Sequence, residues 1–312
     1  MPNPDELRLP EELLVVGAAV KIGLFDALNE APSALAELAR AVGADTRALE
    51  RVVEALGQSG YVDVKDGFVS LTTAAKRMFF EPEHEEYAGY ACMHAYARLK
   101  TWLTLPEVIK TGTAPPKERT PERLRHFMDA MRHYARQVAP AVVDLCLEDT
   151  LPPRLLDLGG GPLNYAVPFA ERGVSVTVQD VPEVVERMRP LIPAGLDIRM
   201  VPGDFHESVS PGPYEAAFLG NVTHIYGPDE NRELFRRIAD VLTPGGRIII
   251  VDYVRGLSPR APYMGVNMLV SSASGGVWTL DEYTAWLAAG GFGPPAVKTL
   301  DERQVLVARL AR

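Results

Sequence analysis

Residues 155–165, Leu-Leu-Asp-Leu-Gly-Gly-Gly-Pro-Leu-Asn-Tyr, constrain this chain more than any other stretch. An apolar run meets an acid, Asp157, and then three consecutive glycines, Gly159 to Gly161. An amphipathic stretch, 166–172, follows. The pattern predicts strand, tight turn and helix. Glycine takes positive φ readily and lets a ligand approach the backbone closely. The helix start behind it offers unpaired N–H groups to an anionic group. Downstream, strand-like pieces at 155–158, 174–179, 196–201, 216–219 and 247–253 alternate with helix-like ones, including 183–188 and 229–242. This predicts an α/β, Rossmann-like domain, a mostly parallel sheet with helices on both faces. The last two strands, near 296–300 and 303–308, flank a short acidic turn and are expected to pair antiparallel.

Upstream the pattern is helical. Val16, Val20, Leu24 and Leu28 share one face, with Phe25 beside them, so 11–28 reads as one amphipathic helix. Ser33 is expected to cap a short helix that ends at Gly43. Thr46 opens the next, which Gly60 closes. Segments 61–65 and 68–71 alternate around Asp66-Gly67, a hairpin signal. Helices followed by a hairpin make a winged helix. Its presumptive recognition helix carries Arg47 and Arg51 but also Glu50 and Glu54, without the basic run that phosphate contacts require. A dimerisation module fits better. Two further helical stretches, 83–111 and 120–148, are rich in aromatics and Met, and Pro152-Pro153 marks a boundary. The expected domains are a mainly helical winged-helix dimerisation domain at 1–110, a connecting helix at 111–150 and the α/β domain at 151–312.

At 312 residues the chain is long enough for two cores, and its net charge of −9 argues against a nucleic-acid partner. Cys92 and Cys146 make neither a disulfide framework nor a zinc motif, so no metal is expected. No long apolar run suggests a membrane span. The acidic, Pro-broken start is unlike a signal peptide, and a cytoplasmic location is expected.

Asp180 ends the second strand, about 20 residues past the glycines, where a carboxylate accepts ribose hydroxyls in nucleotide-binding folds. That much suits NAD and S-adenosylmethionine alike. Two details favour the latter over a dehydrogenase. The third glycine of G-x-G-x-x-G is missing, and Asp157 stands where a dinucleotide site is normally apolar. An acid there suits a ligand with an ammonium group. After the third strand, Asp204 is placed to accept from an adenine amino group and Phe205 to cover the ring.

With these residues in view, the chain resembles class I S-adenosylmethionine-dependent methyltransferases. More narrowly, it resembles the small-molecule O-methyltransferase family of the caffeate, acetylserotonin and polyketide-tailoring enzymes. The markers are Ala19-Val-Lys-Ile-Gly-Leu-Phe-Asp-Ala-Leu28, Leu158-Gly-Gly-Gly161, Gln179-Asp-Val-Pro182, Gly203-Asp-Phe205, Asn221-Val-Thr-His224 and 242–252. The resemblance implies a homodimer built by the N-terminal module. It implies a cofactor site of Asp157, Gly159, Gly161, Asp180, Val181, Asp204, Phe205 and Asn221. His224 falls at the general-base position, and Asp252 matches an acid that orients it. Met264, Asn267, Met268 and Trp278 would form a pocket wall, with Phe127 and Met131 facing it from the other domain. A Met-rich apolar cleft suits a flat aromatic ligand.

The chain also departs from the family pattern. Gly275-Gly-Val-Trp-Thr279 lacks the family's second acid, and Ile225-Tyr226 replaces the usual Asp-Trp after the His. The expected reaction is methyl transfer to a hydroxyl of a small aromatic or polyketide-like metabolite. A carbon or nitrogen acceptor, which needs less base help, is the alternative. A non-catalytic, ligand-sensing winged-helix regulator is a third reading.

Overall fold

The computed structural model describes residues 8–116 and 120–311. In chain order these form α1 (Glu11–Lys21), α2 (Leu24–Glu30), β1 (Ser33–Ala34), α3 (Leu35–Ala41), α4 (Thr46–Gln58), β2 (Val62–Lys65), β3 (Phe68–Leu71), α5 (Thr73–Phe80), α6 (Cys92–Trp102), α7 (Leu105–Thr111), α8 (Pro121–Ala135) and α9 (Ala139–Leu147). Then come β4 (Arg154–Leu158), α10 (Ala166–Glu171), β5 (Ser175–Asp180), α11 (Pro182–Met188), β6 (Ile198–Pro202), β7 (Tyr214–Gly220), α12 (Pro228–Val241), β8 (Leu242–Asp252), α13 (Ala261–Ser271), α14 (Leu280–Ala289), β9 (Ala296–Leu300) and β10 (Arg303–Arg309). No helix among the described residues is long and apolar enough to cross a membrane.

The chain divides into two compact units. The first comprises, of the described residues, 8–100 with 120–133, and the second 101–116 with 134–311. In the first, α1 to α5 surround a core of Leu24, Phe25, Leu28, Leu38, Leu49, Leu56 and Phe79. Phe25 stacks on Phe79 with centroids 4.7 Å apart. A three-stranded sheet, ordered β1-β3-β2, forms the wing. Asp66 (φ +53°) and Gly67 (φ +81°) both take positive φ, as a two-residue turn matched to strand twist requires.

Local readings needed three corrections here. The stretch 11–28 is two helices, because Gly23 (φ +73°) turns the chain between α1 and α2. The apolar spacing continues across the break, so periodicity alone hides it. Ser33 does not cap a helix. It pairs with Val69 as half of β1, and α3 starts without a side-chain cap. The segments 83–111 and 120–148 are each interrupted, between α6 and α7 and between α8 and α9. On α4, Asp45 is the cap, accepting from Ala48 N at 2.9 Å. Arg51 is bracketed by Glu50 and Glu54 at 2.7 and 2.8 Å, so its charge is locally neutralised.

The second unit holds a seven-stranded sheet ordered β6-β5-β4-β7-β8-β10-β9. Strands β4 to β8 run parallel, and β10 lies antiparallel between β8 and β9. The central strands are almost wholly apolar because helices cover both faces. One face packs Leu156, Leu158, Ala217, Leu219, Ile248 and Ile250 against Leu234, Phe235 and Ile238 of α12 and Trp286 and Leu287 of α14. The strand order reverses at β4, whose neighbours are β5 and β7. In such sheets a ligand crevice lies outside the carboxyl ends at that reversal.

Candidate active site

The glycine turn sits at that reversal, and each glycine answers a different constraint. Gly159 has φ +71°, and a Cβ on it would lie 2.8 Å from Val222 Cγ2. A Cβ on Gly160 would lie 2.1 Å from Asp157 Oδ2. One on Gly161 would meet Val184 Cγ1 at 2.3 Å and Asp180 Oδ2 at 2.6 Å. Asp180 ties the turn to the next strand end, accepting from Gly161 N at 3.0 Å and from Val181 N at 2.8 Å. Burial lifts its carboxyl above the usual range, against those two bonds. Val181 itself is 40% exposed beside it.

Asp157 is 1% exposed, and neither carboxylate oxygen has a hydrogen-bond partner. Burial, reinforced by the nearby charge of Asp180, pushes its carboxyl up to about 8. A buried acid without donors is unfavourable unless a cation or donor is brought to it. An orphaned acid beneath a side-chain-free turn therefore fits a ligand that brings an ammonium group. At the third strand end Asp204 is exposed and accepts from His206 N at 2.8 Å. Phe205 is buried in the core, its ring edge 3.7 Å from where a Gly159 Cβ would be. Asn221 follows β7 with φ +58°, its amide 3.5 Å from the Tyr165 hydroxyl.

His224 lies in a 3₁₀ turn, Thr223–Ile225, just beyond β7. Its Nδ1 is 2.7 Å from Asp252 Oδ1, at the end of β8. Asp252 is 1% exposed and accepts three more bonds, from Tyr253 N at 2.8 Å, Thr223 Oγ1 at 2.6 Å and His224 N at 3.1 Å. Burial opposes its charge, but His224 and these donors outweigh burial and hold the carboxyl below its usual range. A carboxylate only accepts, so Nδ1 carries the ring proton of neutral His224. Nε2 has no partner among the described residues and is not sealed from solvent.

The turn carrying His224 is clamped from three sides. The two protons of Asn231 Nδ2 on α12 are shared among the carbonyls of Thr223, Tyr226 and Gly227, at 2.9, 3.0 and 3.1 Å. Gly276 N donates to His224 O at 2.9 Å. Trp278 Nε1 donates to Thr223 O at 3.1 Å, and its ring packs edge-on to Trp286. Trp278 thus braces the His224 turn.

On α13, Met268 is buried, while Met264 and Asn267 are half-buried. Asn267 Oδ1 accepts from Trp102 Nε1 at 3.2 Å. Phe127 and Met131 belong to α8 in the first unit, Phe127 37% exposed and edge-on to His94. Sequence reasoning missed Thr223, Asn231, Tyr283 and Trp102. Of these only Thr223, adjacent to His224, carried a signal. Among the described residues no cluster of His, Cys, Asp or Glu is arranged to hold a metal ion.

Comparison with known proteins bears on this geometry. Residues 91–293 match the model of the O-methyltransferase domain, and residues 14–80 that of the O-methyltransferase dimerisation domain. A 3-hydroxy-5-methyl-1-naphthoate 3-O-methyltransferase from Streptomyces sahachiroi is 28% identical over 295 residues, covering 88% of this chain and 84% of the relative. An L-tyrosine C(3)-methyltransferase from Streptomyces lavendulae is 21% identical, covering 92% of this chain and 85% of its own. The crystal structure of human N-acetylserotonin methyltransferase in complex with S-adenosylmethionine is similar in fold. It has a TM-score of 0.75 at 22% identity, covering 97% of this chain and 94% of that one. The chain belongs to the class I S-adenosylmethionine-dependent O-methyltransferase family, carries that family's N-terminal dimerisation domain, and uses S-adenosylmethionine as its cofactor.

Proposed function

We propose that this methyltransferase transfers a methyl group to a hydroxyl of a small aromatic metabolite, with His224 as general base. The observation that carries the reading is the buried Asp252–His224 pair at the carboxyl edge of β7 and β8, with Nε2 left open. When bound, the cofactor supplies an electrophilic methyl group on a sulfonium. Asp157 would take its ammonium, Asp180 its ribose hydroxyls and Asp204 its adenine amino group, with Gly159, Gly161, Val181, Phe205 and Asn221 shaping the cleft. His224 Nε2 accepts the proton of the acceptor hydroxyl. Asp252 stays ionised, keeps the imidazole in the Nδ1–H form and stabilises the imidazolium. Met264, Asn267 and Met268 would hold the acceptor, and the dimerisation domain supports a homodimer. A relative named for a naphthoate hydroxyl supports the acceptor class.

The test is His224→Ala at saturating cofactor with a panel of phenols. Base assistance of this kind is worth ~10²–10⁴-fold, so turnover should fall by that factor. Unchanged turnover would remove the base role. A second reading, transfer to carbon, has one specific support, the relative named as a tyrosine C-methyltransferase. It predicts a kcat that is flat from about pH 5.5 to 8, because no histidine then titrates in the mechanism.

A further inference from the structure

The Asp252 carboxylate is held by more than its histidine. Thr223 Oγ1 donates to Asp252 Oδ2 at 2.6 Å, and the same oxygen lies 2.6 Å from the Tyr283 hydroxyl. All three residues are 1% exposed or less. A hydroxyl has one proton to give. Thr223 gives its proton to the carboxylate, so Tyr283 must donate to Thr223. The order is therefore fixed as Tyr283 O–H to Thr223 O–H to Asp252. Both carboxylate oxygens then carry two donors each. Oδ1 takes His224 Nδ1 and Tyr253 N, and Oδ2 takes Thr223 Oγ1 and His224 N.

We propose that Thr223 and Tyr283 are positioning residues of the methyl-transfer site. They fix the rotamer of Asp252 so that His224 is held with its proton on Nδ1 and its lone pair on Nε2. The relay spans three elements, the turn after β7, the end of β8 and α14. Without the Thr223 hydroxyl, Oδ2 keeps only the longer bond from His224 N at 3.1 Å, and the two donors on Oδ1 hold the carboxylate less tightly than four donors do. Neutral His224 then populates the Nε2–H form, which cannot accept a proton where the acceptor would lie. Charge-assisted hydrogen bonds of this kind polarise one another, so the relay acts as a unit. This inference rests on His224 being the base, and its test does not.

The test is ¹⁵N NMR of the histidine rings in the full chain at a fixed pH where His224 is neutral, without acceptor or cofactor. His224→Ala identifies the signal among the six histidines. Wild type should show Nδ1–H. Thr223→Val should cut the ratio of Nδ1–H to Nε2–H by about tenfold, the worth of one charge-assisted hydrogen bond. Tyr283→Phe, which keeps the ring, should cut it by roughly threefold. Thr223→Ser should restore the wild-type ratio. In turnover, Thr223→Val should lower kcat by a similar factor with KM unchanged. If either folded variant, Thr223→Val or Tyr283→Phe, keeps the wild-type tautomer ratio, the relay is only structural and the proposal fails. If the ratio shifts as expected while His224→Ala still turns over phenols normally, the base reading and the catalytic role of the relay fall together, and only its hold on the His224 tautomer stands.

Discussion

Asp157 and Asp252 are the same residue at the same depth, each 1% exposed at the carboxyl edge of one sheet. Their environments differ completely. Asp157 has no donor, and its carboxyl is pushed up to about 8. Asp252 has four donors and sits below its usual range. Burial alone does not set the charge of an acid. At Asp252 the neighbouring His224 and the donors aimed at the carboxylate do so together. One acid has its partners within the chain, and the other has none among the described residues.

The comparison can be broken at either end. Asp252→Ala should have the largest effect. It leaves buried donors of Thr223, His224 and Tyr253 without an acceptor, and each buried donor so orphaned typically costs ~1–3 kcal/mol. Urea unfolding measures it, and a loss under about 1 kcal/mol would mean that the four bonds count for little.

Asp157→Asn should act in the opposite direction. The folded state raises this carboxyl above its unfolded value of about 3.9. Folded protein thus holds a proton that unfolded protein has lost, and stability falls as pH climbs from about 4 toward 8. The variant should lose that slope and, at pH 8, be more stable than wild type by about 1 kcal/mol or more. Its affinity for S-adenosylmethionine should nonetheless be weaker. Binding an ammonium favours the charged carboxylate, so wild-type affinity should rise between about pH 6 and 7.5 while that of Asp157→Asn stays flat. Thermal melts and calorimetry at two pH values separate the two effects. A variant less stable than wild type at pH 8 would contradict the orphaned-acid picture.

Asp204 is the exposed reference, bonded in a turn to His206 N. Asp204→Ala should change stability by under about 1 kcal/mol in urea unfolding. A larger loss there would show that position on the sheet edge, rather than burial and partners, governs these acids.

Much of this was legible in the chain. The β4 turn announced itself because a strand end, an acid and three glycines leave little conformational choice. The hairpin at Asp66-Gly67 was legible for the same reason, since two positive φ values demand such residues. The places of Asp157 and Asp180 near strand ends, and of His224 just past one, followed from the strand pattern, while the roles expected of them came from the resemblance. What was hidden is what depends on distant partners. Ser33 looks like a cap locally, but pairing with Val69 makes it a strand. Gly23 breaks a helix without disturbing the apolar spacing. Tyr283 lies 60 residues from Thr223, and nothing in its neighbourhood on α14 marks a hydroxyl bound for Asp252. Trp278 and Asn267 showed their residue types, but their bonding to Thr223 and Trp102 was fixed only by packing.

The interleaved strand β10 has a consequence for the order in which the molecule can be completed. It pairs along β8 from Arg247 to Asp252, so the strand that ends in Asp252 has an open edge, apolar from Ile248 to Val251, until β10 arrives. Val254, just past that strand end, is bonded to Gln304, 50 residues further along the chain. On a growing chain, the glycine turn after β4 therefore precedes the completed β8 edge by a long interval. Meanwhile an unpaired run such as Ile248-Ile-Ile-Val251 is the kind of edge that recruits other chains. Assembly of the Asp252–His224 pair is thus coupled to capture of the last strand, and aggregation competes with that capture during synthesis.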